Sequence, residues 1–352
     1  MIASHGKINA LRLVVVLGLF LVMIQAGGCY YMQAIRGHYE IMNRRQPIPE
    51  VIANENSPDE LRKRLAIVQQ ARGFAVTQLS LPDNESYQSY ADLGRDYVVW
   101  NVFAAPEFSL EPKTWCFPVA GCVAYRGYFA EDAARKKAKS LSEHGYDVAV
   151  GGVSAYSTLG RFDDPVLNTM MRWSDAQLVA TIFHELAHQR LYVKGDTAFN
   201  ESFATAVSDI GMRRWLGQRD DAAAIAGFDR EQALRRSMMS LVDATKEKLE
   251  RLYASNLDDV DKRKRKQALL DELSVAGARL VEESRTGTTN WLAAPLNNAR
   301  LASLGLYEGY QDAFENIFRN CREELECFYA ESTRLAGLDQ DERRQRLQQW
   351  AD

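Results

Sequence analysis

Apolar and polar positions change rhythm three times along the chain. An unbroken apolar run, Leu13 to Ile24, follows Lys7 and Arg12, and no acidic residue precedes Cys29. Its twelve residues fall short of the roughly 20 that cross about 30 Å of hydrocarbon. Length, basic start and the small residues Ala26-Gly27-Gly28 together predict an export signal over 1–28. Residues 30–45 are mixed and predict a helix near that end. Ser57-Pro58-Asp59-Glu60 reads as a capping box with Pro at the first helical position, opening a helix to about Arg72. The β-branched and aromatic stretch Tyr97 to Phe103 predicts a strand. Pro, Gly and Cys interrupt 106–122, and Tyr125 to Phe129 resumes a strand. A charged helix, Glu131 to Glu143, leads to a strand at Asp147 to Val150, a break at Gly151-Gly152 and a third strand at Ser154 to Leu159. From Ser174 onward the spacing is helical nearly throughout. Ser174-Asp175-Ala176-Gln177 forms a second capping box, and Leu178, Ile182 and Leu186 fall on one helical stripe. The predicted class is α+β and predominantly α-helical, with a small sheet (about 97–159) ahead of a helical half (about 174–352). No repeat and no Pro/Gly-rich linker divides 29–352, which reads as one unit.

Composition narrows the classes. In 352 residues, 46% hydrophobic and 26% charged, collagen-like, low-complexity and wholly disordered chains are excluded. Formal net charge is −4, and residues 29–352 hold 41 bases against 47 acids. A mildly acidic body offers no field for nucleic acid, so none is expected as a partner. The basic run Asp261-Lys262-Arg263-Lys264-Arg265-Lys266 reads as a solvated helix face. Beyond Cys29, the cysteines are Cys116, Cys122, Cys321 and Cys327, in two C-x5-C pairs. In an oxidising compartment they predict disulfides, with three connectivities open and each pair closing on itself the simplest. Two cysteines six apart in one continuous helix stand roughly 9 Å apart, beyond bonding reach. A Cys321–Cys327 bridge therefore requires a helix break between them.

Chemistry concentrates at His184-Glu185-Leu186-Ala187-His188, in a chain with only five histidines. Chance places this HExxH spacing in fewer than about one chain in a hundred. On a helix, i and i+4 put both imidazoles on one face, one turn apart, as a shared metal requires. Glu185 sits about 100° round from His184, near the metal position without ligating it. A catalytic zinc needs a third protein ligand and one open position. Lys194-Gly195 predicts the end of the first helix, and Asp196 or Thr197 a cap for the next. Two antiparallel helices then place Glu201 opposite His188, at nearly equal depth from the turn. Thr205, Ser208 and Asp209 come next on that helix and are expected to orient a ligand imidazole.

HExxH with a downstream Glu on a second helix resembles the gluzincin zinc metallopeptidases, the thermolysin-like clan, and Asn200-Glu201 matches the Asn-Glu that opens the clan's ligand helix. Two departures stand out: the gap from His188 to Glu201 is shorter than thermolysin's, and Thr205 occupies the position of an expected Asp, with Asp209 a turn further on. Ala26-Gly27-Gly28-Cys29 resembles the lipobox of bacterial lipoproteins, although Ala26 stands where Leu is usual. That likeness implies a Cys29 made the lipid-bearing mature N-terminus. With the segments Trp115 to Val119, Tyr125 to Phe129 and Ala155 to Gly160, the chain resembles the bacterial "putative aminopeptidase" lipoprotein family over nearly its whole length.

The resemblance implies a zincin-like core and one Zn2+ per chain, held by His184, His188 and Glu201. It implies peptide hydrolysis by a zinc-bound water with Glu185 as general base, and an anchor in the bacterial cell envelope facing the periplasm. Tyr30 after Cys29 resembles outer-membrane sorting in Gram-negative lipoproteins. The partners implied are a peptide or protein substrate and the membrane. An oxyanion donor is expected from Tyr192, Tyr307 or Tyr310, and the acids available to hold a substrate ammonium are Asp163, Asp164 and Glu308. Ser154 to Leu159 is placed to hold substrate by strand addition. Exo- and endopeptidase remain open, as does a zinc-binding envelope protein or interaction scaffold without catalysis.

Overall fold

The computed structural model describes residues 30–117, 121–219, 222–284, 292–293, 295–305 and 309–351. Cys29, Tyr307 and Glu308 lie outside them, as does the export signal. The class is α+β, as the hydrophobic pattern predicts.

Helix α1 (residues 30–43) leads into strand β1 (Arg45–Pro47) and helices α2 (Ile48–Ala53) and α3 (Asp59–Leu79). α3 runs past the expected stop at Arg72, because Phe74, Ala75 and Leu79 continue the stripe of Leu65, Val68 and Ala71 into the core. The expected capping box is not formed: Pro58 itself takes the cap position, without a side-chain cap bond. Strand β2 (Ser89–Ala91) lies between β1 and β8 (Val166–Leu167), antiparallel to the first and parallel to the second. Strands of two or three residues are too short to carry a period-2 pattern, so the sequence signal missed this sheet.

The second sheet has the order β6 (Arg126–Tyr128), β3 (Val99–Pro106), β7 (Tyr146–Val153), all antiparallel. β7 runs unbroken through Gly151 and Gly152, where a break was expected, in register with Asn101 and Trp100. These glycines permit a close approach: a Cβ on Gly152 would meet the Tyr97 ring at 2.4 Å. Helix α4 (Glu131–Glu143) has the predicted bounds and buries Ala134 and Leu141 under this sheet with Val102 and Ala104. A hairpin of β4 (Trp115–Phe117) and β5 (Gly121–Val123) sets Cys116 opposite Cys122, and the two are bonded.

Nearly all else that is described after Ser174 is helical: α5 (Asp175–Arg190), α6 (Thr197–Gly217), α7 (Ala222–Tyr253), α8 (Asp259–Ser284), α9 (Asn298–Gly305), α10 (Gln311–Asn320), α11 (Leu325–Ala336) and α12 (Gln340–Ala351). The main core gathers Phe183, Phe199, Phe203, Phe314 and Phe328 between α5, α6, α10 and α11, with α3 packed against it. α7 and α8 form a second core around Met238, Val242, Leu249, Leu270 and Leu273. The basic run on α8 is only partly a solvated face. Arg263 pairs with Glu107, and the buried Lys266 ammonium bonds Asp147 at 2.6 Å and the Glu107 carbonyl at 2.8 Å. Its positive charge ties the helix pair to the end of β3. Cys321 and Cys327 are bonded across the break between α10 and α11, where Arg322 and Glu323 take left-handed backbone angles.

Candidate metal centre and active site

The site is built where α5 and α6 lie side by side. Ser174 caps α5, its Oγ accepting from the Gln177 N–H at 3.1 Å. Leu178, Ile182 and Leu186 are fully buried, which turns His184 and His188 toward α6. α5 ends at Arg190 rather than at Lys194, and Gly195 takes the left-handed turn at φ 85°. Asp196 caps α6 by accepting from the Phe199 N–H at 3.1 Å. Its other oxygen holds the buried Arg343 guanidinium of α12 at 2.8 Å, a long-range tie the local pattern could not show. Asn200 clasps the turn: its Oδ1 accepts from the Val193 N–H and its Nδ2 donates to the Val193 carbonyl, each at 2.7 Å. Further along, Ser208 donates to the Ala180 carbonyl at 2.8 Å. The pairs 193–200 and 180–208 show that the helices run antiparallel, with Glu201 delivered to the two histidines.

Three donor atoms converge. His184 Nε2 and His188 Nε2 are 3.1 Å apart, His184 Nε2 is 3.2 Å from Glu201 Oε2, and His188 Nε2 is 3.6 Å from Glu201 Oε1. Two nitrogens and an oxygen, each about 2.0–2.1 Å from one tetrahedral zinc, stand roughly 3.3 Å from one another. The triangle thus has the edges that such an ion demands, and among the described residues it is the group of three such donors with this proximity.

Electrostatics agrees. Burial would raise the Glu201 carboxyl, but hydrogen bonds and charge from His184 and His188 outweigh it and bring it down to about 2. Burial likewise opposes charge on His188, yet the hydrogen bond and charge of Glu201, with the charge of Glu185, raise its pKa. The pocket is negative where a cation would sit. The buried His188 Nδ1 has no hydrogen-bond partner among the described residues. Two of the three residues expected to orient a ligand imidazole bond elsewhere: Ser208 donates to Ala180, and Asp209 accepts from Gln232 at 2.7 Å and Gln311 at 3.2 Å.

Glu185 is half-buried, and no side chain among the described residues hydrogen-bonds it. Its charge acts on Tyr87, Asp164, Tyr125 and His188. Of the predicted tyrosines, Tyr192 stands at the site, its ring centroid 6.4 Å from that of His188. Tyr310 packs instead against the helical core. Tyr125 was not among the tyrosines expected near the site. Burial, then the charges of Glu201, Tyr192 and Glu185, push its hydroxyl up to about 12. The scarcity of other histidines pointed to tyrosine, but nothing local marked this one.

Ser154 to Leu159 is not a strand. It forms a loop that wraps Asp164, whose Oδ2 accepts from the Thr158 N–H at 2.6 Å and whose Oδ1 accepts from the Thr158 hydroxyl at 2.9 Å. Asp164 is fully buried and offers no oxygen to an incoming ammonium, while Asp163 faces Arg45 at the surface.

Burial is the leading cause that raises both Asp164 and Asp209 to about 6. The folded chain then holds more protons than the unfolded one between about pH 4 and 6, so each group's contribution to stability falls as pH rises through that window, by about 3 kcal/mol. Asp209→Asn is expected to gain on the parent progressively across it. Urea midpoints from pH 4 to 7 measure this, and a gap independent of pH would refute it.

Fold and site together define an α+β protein whose paired helices carry an HExxH segment and a glutamate in metal-binding geometry. A model of the family described as "Putative aminopeptidase" matches residues 29–347, and the chain belongs to that family. Its membership supports a peptidase. Comparison with curated proteins and with solved structures returned no match.

Proposed function

We propose that this chain is a zinc-dependent peptidase with a zincin-like core, lipid-anchored in the bacterial cell envelope through Cys29. The observation that carries the metal assignment is the triangle of His184, His188 and Glu201 donors, with sides of 3.1, 3.2 and 3.6 Å. Two imidazoles and a carboxylate suit zinc. When bound, zinc supplies Lewis acidity to polarise a scissile carbonyl and lowers the pKa of water toward about 7.

The chain's own residues do the rest. Glu185 accepts the proton of the attacking water and passes it to the departing amine. A donor aimed at the developing oxyanion lowers the barrier further. Tyr125 and Tyr192 are held neutral by burial and by the charge of Glu201, and both are suited to that role. The family description favours an exopeptidase.

The test is zinc content and peptide hydrolysis on one preparation. One zinc per chain is expected, with cleavage lost on chelation and restored by zinc. Hydrolysis confined to peptides with free amino termini would assign the exopeptidase. Zinc without cleavage of a broad peptide library would favour the non-catalytic envelope protein, and absence of zinc binding would overturn the reading.

A further inference from the structure

α1 has two faces of opposite character. Its inner face is bound to the body: Ile41 is fully buried, the Gln33 Oε1 accepts from the Phe129 N–H at 2.9 Å, and a Cβ on Gly37 would land 2.1 Å from the Phe129 ring. Residues 33, 37 and 41 recur every four positions on that side. The opposite side carries Tyr31, Ile35 and Tyr39 at the same interval, with Met32 beside them. The Phe162 side chain extends this face from the loop 154–164, its ring 4.5 Å from that of His38. Tyr31, Met32, Ile35, Tyr39 and Phe162 are 44% to 66% exposed. Ile35, His38, Tyr39, Met42 and Phe162 line a groove of about 530 Å³. Five large apolar side chains exposed together are more than the single scattered ones that need no explanation.

We propose that this face docks on a phospholipid bilayer, lying in the headgroup layer beside the lipid anchor. The inference rests on the acylation of Cys29 that the proposed function includes. The position of the tether selects the occupant. Tyr31 is two residues from Cys29, at most about 7 Å of chain, and the headgroup layer is itself about 5–8 Å deep. Acyl chains in the hydrocarbon therefore leave the start of α1 no room to stand clear of the headgroups. An amphipathic helix in this setting buries its apolar side about 5–10 Å into the boundary. Tyr31 and Tyr39 suit that depth, with apolar rings and polar tips. Arg36, exposed on the flank, suits the phosphates. Among the described residues no helix is long and apolar enough to cross a membrane. The loop of Phe162 also carries Arg161, whose charge acts on Tyr192 at the metal centre. The rim of the site thus adjoins the docking face.

The test uses the full chain in vesicles of phosphatidylethanolamine and phosphatidylglycerol. A fluorophore is placed at Ile35→Cys, at Phe162→Cys or, as a control on α8, at Val275→Cys, which is 53% exposed. Quenching by lipid-borne nitroxides is expected to be several-fold stronger at Ile35 and Phe162 than at Val275. Equal quenching at all three positions overturns the proposal. So does shielding of Ile35 from both lipid-borne and aqueous quenchers, which would mean that a second copy or residues 13–24 cover the face. The mass of the N-terminal peptide reports acylation separately, and peptide hydrolysis reports the catalytic reading. Failure of either is thereby distinguished from failure of docking.

Discussion

Glu185→Gln is expected to lower turnover of peptide substrates by about 100- to 10,000-fold, the range for loss of a positioned general base, while zinc content and thermal midpoint stay at the parent values. The substitution keeps the side chain's shape and takes away only its basicity. It is structurally mild because Glu185 accepts no side-chain hydrogen bond among the described residues and is only half-buried. It is chemically severe because the carboxylate is the proposed base, and its charge is felt by His188 and Tyr125. Loss of a group that acts only in the transition state lowers kcat and kcat/KM alike, leaving KM nearly unchanged. A Glu185→Gln enzyme with full zinc and full turnover would sink the general-base role. Function kept in the cell although turnover is lost would favour the scaffold reading.

Legibility in the sequence tracks the range of the interactions. The HExxH helix, its Ser174 cap and the Asp196 cap depend on residues three or four apart, and each is found where the pattern put it. Glu201 was legible for a similar reason: a short turn between two caps fixes the depth of the residues beyond it. The turn's own clasp, Asn200 on Val193, spans only seven residues, yet in the sequence it shows as a family mark rather than as a clasp. Several features that failed to show are set by distant partners. Gly151-Gly152 looks like a break until the Tyr97 ring is seen to lie over it. Asp209 looks like a partner for an imidazole until α7 and α10 bring Gln232 and Gln311 to it. Tyr125 packs on the Phe103 ring of β3, a contact no local period encodes.

The second large effect concerns Glu201. Its two oxygens are shared, one at 3.2 Å from His184 and the other at 3.6 Å from His188, so it touches both imidazoles as an anion. Replacing it by Gln keeps the volume and removes the charge and the third anionic donor. Loss of a partner that merely supports a ligand typically costs about 10- to 100-fold in metal affinity. Loss of the ligand itself is expected to cost more than about 100-fold, measured by competition with a chromophoric chelator. Glu201→Asp separates charge from reach. It restores the anion but shortens the side chain by one methylene, so the carboxylate no longer closes the triangle from α6. Affinity well below the parent in both variants is the expected result, because a ligand needs charge and position together. If Glu201→Asp alone binds like the parent, only the negative field matters and the geometric argument fails. If Glu201→Gln also binds like the parent, Glu201 is not a ligand, and the two histidines hold their metal with some other donor.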